Sequence, residues 1–254
     1  MAKGLKKDEK VYVPLNRLGL DRVTESAFLH TEVLADVQPK ERSVTVDLRN
    51  NGATGTVATS AVHRHIGVCI YAIGDVTSEL SLIEPLRKSI VQYCRLLLPY
   101  DALRSRTVRS LEKLRKCWAD HDHCGCSHVV IIGHGGEDGL TFAVSGHVAA
   151  SEIGSAFKLQ TSVASTFISL CCKTGYASFA QNFTKSSNCN IFIAPYHAVH
   201  GAIACQFLQT YLAHHFLDGK TFKVAYNKGR HSKRRPVSIL GERQTQIARD
   251  RTAA

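Results

Sequence analysis

An α/β fold, with a mostly parallel central sheet and helices on both faces, is predicted by three features of the sequence. Mostly apolar runs of strand length occur at Ile66–Ile73, His128–Ile132 and Val163–Leu170. Segments with apolar residues at helical spacing separate them, and turn-forming glycines stand where the runs end. A strand that is apolar throughout is the pattern of a sheet covered on both faces.

In chain order, Val11–Val13 and Ser43–Leu48 read as short strands, and the Gly/Thr/Ser-rich stretch Asn50–Ser60 reads as a loop. Residues 1–60 thus form an accessory segment ahead of a main domain at 61–230, with a basic tail at 231–254. Ile66–Ile73 is the first central strand. Ser78–Leu98 carries Leu80, Ile83, Leu86, Ile90, Val91 and Cys94 at helical spacing, with Thr77 or Ser78 as cap. Leu96–Leu98 is read as a short strand before Pro99, and Leu103–Trp118 as a second amphipathic helix. After the strand His128–Ile132, Leu140–Val144 and His147–Ala149 form a hairpin, and Ala150–Phe157 is a short helix capped by Ser151. Val163–Leu170 is the next strand, followed by a helix at Tyr176–Phe183 and a strand at Asn190–Pro195. Ala202–Leu217 is an amphipathic helix, and Thr221 caps a last one through Tyr226.

Composition narrows the function classes. With 254 residues and 44% hydrophobic content the chain can build a full core. Met1–Lys10 is charged, and no run approaches the roughly 18 apolar residues that span a bilayer, so a cytoplasmic protein without membrane attachment is expected. Nine cysteines, an odd number scattered over strands and helices, fit reduced core thiols better than a disulfide framework. The net charge of +11 is concentrated in Arg104–Lys116 and Arg230–Arg235, without interleaved aromatics. That pattern reads as a solvated helix face and a flexible tail, so nucleic acid is not the expected partner.

Two strand ends carry chemistry. Val129–Ile132 leads into Gly133-His134-Gly135, and Phe167–Leu170 into Cys171-Cys172-Lys173-Thr174-Gly175. A thiol and an imidazole are sufficient for covalent acyl transfer, the thiolate attacking and the imidazole moving the proton. Cys117, His121, His123, Cys124, Cys126 and His128 also lie close together in sequence. Their spacing matches no common zinc finger, and Cys124-Gly125-Cys126 would set ligands one residue apart, so no metal is expected there.

The order strand, His, hairpin, helix, strand, Cys resembles the caspase-like cysteine peptidases, which include caspases, metacaspases and the bacterial CHAT peptidases. The resemblance covers about Ile66 to Arg230. It rests on Gly133-His134-Gly135, on Gly139-Leu140-Thr141-Phe142 through Ser145-Gly146 to Ser151-Glu152-Ile153 and Phe157, and on Cys172-Lys173-Thr174-Gly175. It implies a caspase-like sandwich and a dyad of His134 and Cys172, with the backbone N–H groups of Gly135 and Cys172 holding the oxyanion and no cofactor. Only Cys172 has the Cys-x-Ser/Thr-Gly continuation, and neighbours leaving a strand point in opposite directions, so Cys172 is preferred to Cys171 as nucleophile.

In the resembling family the loop after the next strand shapes the specificity pocket, which makes Tyr196 and His197 substrate-binding candidates. The caspase Gln-Ala-Cys signature is absent. Metacaspases carry an acid two positions before the nucleophile, where this chain has Leu170; the resemblance still favours a basic P1 residue, with Asp138 or Glu137, the nearest in sequence, as the carboxylate that would meet it. The resemblance thus implies an endopeptidase acting on a protein substrate, as a regulated processing or cell-death and defence effector with a regulatory or activating protein. A non-catalytic caspase-like module, or a basic adaptor binding a protein or nucleic acid, is the alternative. Substrate, activating signal and oligomeric state are not legible.

Overall fold

The computed structural model describes residues 4–20, 26–48, 52–74, 79–121, 126–158, 165–231 and 237–241. The accessory segment holds β1 (Lys10–Pro14), β2 (Phe28–Glu32), β3 (Ser43–Asp47) and β4 (Thr54–Ala58), paired antiparallel as β1 with β2 and β3 with β4. The alternation of Val11/Val13 and Val44/Val46 turns these valines inward, where they form a small core of their own with Val33 and Val57. The loop expected at Asn50–Ser60 is therefore corrected: Thr54–Ala58 is a strand. Val57 alone of its five residues is buried, so the run lacks the apolar signal of a strand while its backbone still pairs.

The main domain follows as β5 (Gly67–Ile73), α1 (Glu84–Leu97), β6 (Leu103–Val108), α2 (Leu111–His121), β7 (Cys126–Gly135), β8 (Gly139–Phe142), β9 (Gly146–Ala149), α3 (Ala150–Ala156), β10 (Ser165–Ser169), α4 (Ala177–Ser186), β11 (Cys189–Pro195), α5 (Gly201–Leu212), α6 (Phe222–His231) and β12 (Val237–Gly241). Wider helical turns at Glu79–Ile83 and Ala213–Leu217 precede α1 and extend α5. The sheet order is β12-β11-β10-β7-β5-β6, parallel except for β12, with the β8–β9 hairpin added at the end of β7. This is the α/β sandwich that the sequence predicts.

Its two faces are separate cores. Val68, Ile70, Val130, Ile132, Ile168 and Ile193 pack with α1, α5 and α6. The alternate residues Tyr71, Ile73, Val129, Ile131, Phe167 and Phe192 pack with α2, α3 and α4. On that second face Trp118, Phe157, Phe167 and Phe183 meet ring to ring, largely edge-on. Each such pair adds about 0.5–1.5 kcal/mol beyond its buried area.

Several element assignments are corrected. Leu96–Leu98 is not a strand, because α1 continues through Leu97. Leu103–Val108 is not helical; it is the edge strand β6, whose exposed Arg106 and Thr107 hide the period of two expected of a half-buried strand. Ser151 does not cap α3: β9 runs directly into the helix, Ala149 holds the cap position, and the Ala150 N–H donates to Asp138 O at 2.8 Å. Part of the expected tail pairs as β12 on β11. Thr77, Ser78 and the basic run 233–236 lie outside the described residues.

The β5–β7 pairing contains a bulge, with Gly67 opposite Cys126 and Val68 opposite His128. The extra residue, Ser127, lets Cys126 and His128 face opposite sides of the sheet although they are two apart. Cys126 joins Cys69 in a disulfide with Cα atoms 6.1 Å apart, so the expectation of reduced core thiols fails at this pair. The other described cysteines are free thiols. His128 enters the opposite core, beside His215, Tyr211 and Phe216. Among the described residues no metal-binding group of three or more His, Cys, Asp or Glu gathers, and His123 and Cys124 lie outside them.

Candidate active site

Strands β7 and β10 are parallel neighbours, with Val129 opposite Phe167, Val130 opposite Ile168 and Ile131 opposite Ser169. The Leu170 N–H continues the ladder to Ile131 O at 2.8 Å. His134 and Cys172 therefore leave the sheet at the same level, each three residues past a paired position. Parallel pairing brings two residues 38 apart in sequence to one sheet edge, at the carboxyl ends of adjacent strands where open α/β sheets bind ligands.

Both side chains are half-buried. His134 occupies the last turn of β7, where it pairs with Thr141 of β8, and Gly135 pairs with Leu140. Gly135 is required by close approach: a Cβ there would lie 2.5 Å from Cys172 O and 2.8 Å from Cys171 Cβ. The histidine strand thus lies directly on the cysteine turn. Gly135→Ala is expected to cost about 3 kcal/mol, the upper part of the range for overpacking, and to lower Tm by roughly 6–12 °C in a thermal melt.

The turn after β10 is held on three sides. Ser169 Oγ meets Thr174 Oγ1 at 2.8 Å, Thr174 Oγ1 donates to Cys171 O at 2.9 Å, and the Cys171 N–H donates to Ser169 Oγ at 3.3 Å. Ser169 and Thr174 are both buried, so this pair satisfies two hydroxyls that would each cost about 1–3 kcal/mol unpaired. From β11 Pro195 O accepts the Gly175 N–H at 2.8 Å, and from the loop after it His197 O accepts the Lys173 N–H at 3.4 Å. These bonds hold Lys173 at φ 61°, the left-handed region a lysine ordinarily avoids. The backbone immediately after the thiol is fixed by its surroundings.

The two adjacent cysteines part company as expected. Cys171 is fully buried in the α2–α4 core, its Sγ 3.7 Å from Ile131 O, and burial pushes its thiol up to about 12 despite the bond from Ser169. A thiol so placed is inert at neutral pH. Cys172 is half-buried and faces the loop before α5, where the Val199 N–H donates to its Sγ at 3.4 Å. A backbone donor aimed at sulfur stabilises negative charge that develops there.

Of the expected substrate-binding residues, Tyr196 and His197 are exposed on the loop that braces the cysteine turn, with Tyr196 edge-on to Tyr176 at 5.9 Å. Asp138 is drawn instead to His147, 3.4 Å away on the hairpin. Glu137 is the carboxylate that reaches the turn: it pairs with Lys173 Nζ at 3.3 Å, and its carbonyl accepts from Ser178. Next to Val199 a recess of about 20 Å³ is lined by Leu170, Pro195, Val199, Ile203, Ala204 and Phe207, with Ser169 its one polar residue.

Val199 and the Ser169–Thr174 pair were not identified from sequence. Ser169 left a signal, since a hydroxyl ending an apolar core strand must find a partner; Val199 left none. No protein-family model matches the chain, and no curated protein matches it. No helix among the described residues is long and apolar enough to cross a membrane.

Proposed function

We propose that the chain is a cysteine endopeptidase in which Cys172 is the nucleophile and His134 the proton carrier. The observation that carries this reading is the common level at which β7 and β10 deliver the two side chains, with Gly135 packed on the Cys172 carbonyl. Cys172 Sγ would attack the scissile carbonyl carbon while its proton passes to His134. His134 then gives that proton to the leaving amine, and the acyl group stays on sulfur as a thioester. Water, deprotonated by His134, hydrolyses the thioester and restores the thiol. The backbone N–H groups of Gly135 and Cys172 are assigned to the oxyanion.

The recess next to Val199, whose N–H meets the Cys172 sulfur, is apolar and of only about 20 Å³, which favours a small apolar P1 side chain over the basic one that the resemblance favours. P1 hangs on the carbon next to the attacked carbonyl, so it must lie close to the sulfur. The neighbouring recess carries no charge, and Glu137 is already matched by Lys173. Placing an unpaired ammonium or guanidinium there costs several kcal/mol. A peptide library read by mass spectrometry is expected to show cleavage after Ala at least about 100-fold over Arg or Lys, with Leu below Ala. Ile203→Asp, at the rim, is expected to shift that ratio toward Lys and Arg by about 10-fold.

In this reading the protein works in the cytoplasm as a regulated processing or cell-death and defence effector. The partners are a protein substrate and a regulatory protein. A library left intact by the wild-type chain favours a non-catalytic module.

A further inference from the structure

Among the described residues β6 is an edge strand of the sheet, and it lies beside a groove of about 370 Å³ between that strand and α1. Four arginines line it, Arg87 and Arg95 from α1 and, from β6, Arg104 and Arg106, which flank the α1-facing Ser105 and so stem from the other face of the strand, with Tyr100 at one end. Arg87 is already matched: Glu84 takes it in two bonds of 2.7 Å, and its remaining arm reaches Ser105 Oγ at 3.2 Å. Among the described residues, no carboxylate pairs with Arg95, Arg104 or Arg106. Arg104 and Arg106 lean along the strand toward the carbonyls of Leu103 and Ser105, at 3.2 and 3.3 Å. Tyr100, in the turn after α1, is 84% exposed.

Charges confined to an edge strand serve to prevent edge-to-edge association. Here the charge also comes from the helix above, and an exposed tyrosine lines the groove, which is the composition of a recognition surface. We propose that β6 and this groove bind an extended acidic peptide of a partner protein. Its backbone would pair with the outer edge of β6, and its Asp or Glu side chains would meet Arg95, Arg104 and Arg106. A second copy of this chain is a poor occupant, because pairing β6 with β6 sets arginine against arginine in a protein already at +11. A nucleic acid would satisfy the guanidinium groups and leave the strand edge unused.

The site is independent of Cys172, so the test can use the Cys172→Ala chain. Fluorescence anisotropy is measured with a labelled nine-residue peptide alternating Glu with Val and Thr, with the same peptide N-methylated at alternate residues in either register, and with a labelled twelve-nucleotide oligothymidylate. The expected result is saturable peptide binding, weakened at least about 10-fold by Arg104→Glu/Arg106→Glu and by one of the two N-methylation registers. Lys113→Glu/Lys116→Glu on α2, an equal change of net charge at exposed positions, is expected to alter it less than about threefold. The proposal is overturned by absence of peptide binding, by equal loss in both double variants, by indifference to both N-methylation registers, or by tighter binding of the oligonucleotide with the same arginine dependence. Circular dichroism of each variant confirms that these surface changes leave the fold in place.

Discussion

Cys172→Ala is expected to lower peptide hydrolysis by about 10⁴-fold or more, and His134→Ala by a comparable factor. The double variant is expected to be no worse than either single one, because the two groups act in one step and removing either removes it. Cys171→Ala is the informative contrast. Its thiol is buried against Ile131 O and pushed up to about 12, so it has no route to substrate. Activity in that variant is expected within about threefold of wild type, with a modest loss of stability from the small void left in a packed core. Initial rates on a cleaved library peptide, taken with thermal melts of the same preparations, separate the two effects.

Acid is expected to destabilise the protein from about pH 6.5 downward, well before its carboxylates titrate. His63, His128 and His215 cluster where β7 begins, with His128 and His215 rings 5.1 Å apart and His63 and His215 5.8 Å apart. Phe216, Phe28 and Tyr211 pack among them. Two of the rings are hydrogen-bonded to backbone, His63 to Phe216 O at 3.2 Å and His215 to Lys220 O at 2.8 Å. His128 Nδ1 meets Ser127 Oγ at 2.9 Å, and its buried Nε2 has no hydrogen-bond partner among the described residues.

Burial, then the neighbouring His215, lowers His63 to about 4; burial and the other two histidines hold His128 well below its ordinary value, and burial lowers His215. The folded state therefore resists protonation, and below about pH 6.5 the unfolded chain binds more protons. Stability present above pH 6.5 is lost as pH falls, by about 1.4 kcal/mol per pH unit for each histidine that stays neutral. For His63 the loss reaches about 3 kcal/mol by the time pH meets its folded value. Urea unfolding at pH 7, 6, 5 and 4.5 measures the slope, and His128→Phe is expected to reduce it. Glu9 and Glu84, both lowered mainly through their arginine partners against the opposing effect of burial, lose their contribution only at lower pH.

What was legible in the sequence follows burial. β5, β7 and β10 are covered on both faces, so their apolar runs announce them, and the residues after them, His134 and Cys172, could be placed at strand ends. β4 and β6 each bury only one side chain, Val57 and Val108, so their pairing is carried by backbone groups that no side-chain pattern records. The Cys69–Cys126 disulfide and the divergence of Cys126 from His128 both depend on one bulge residue, Ser127, that only the strand pairing reveals. The Cys172 environment was half legible. Thr174 stood in the motif, whereas the Val199 N–H comes from a loop brought in by β11 and α5.

The central claim is the identity of the nucleophile. An N-acylated alanyl acyloxymethyl ketone, incubated at low concentration and read by intact mass and peptide mapping, tests it most directly. One adduct per chain on Cys172, none in Cys172→Ala, slowed labelling in His134→Ala and unchanged labelling in Cys171→Ala is the predicted result. An adduct on Cys171, or equal labelling of the Cys172→Ala chain, would contradict it.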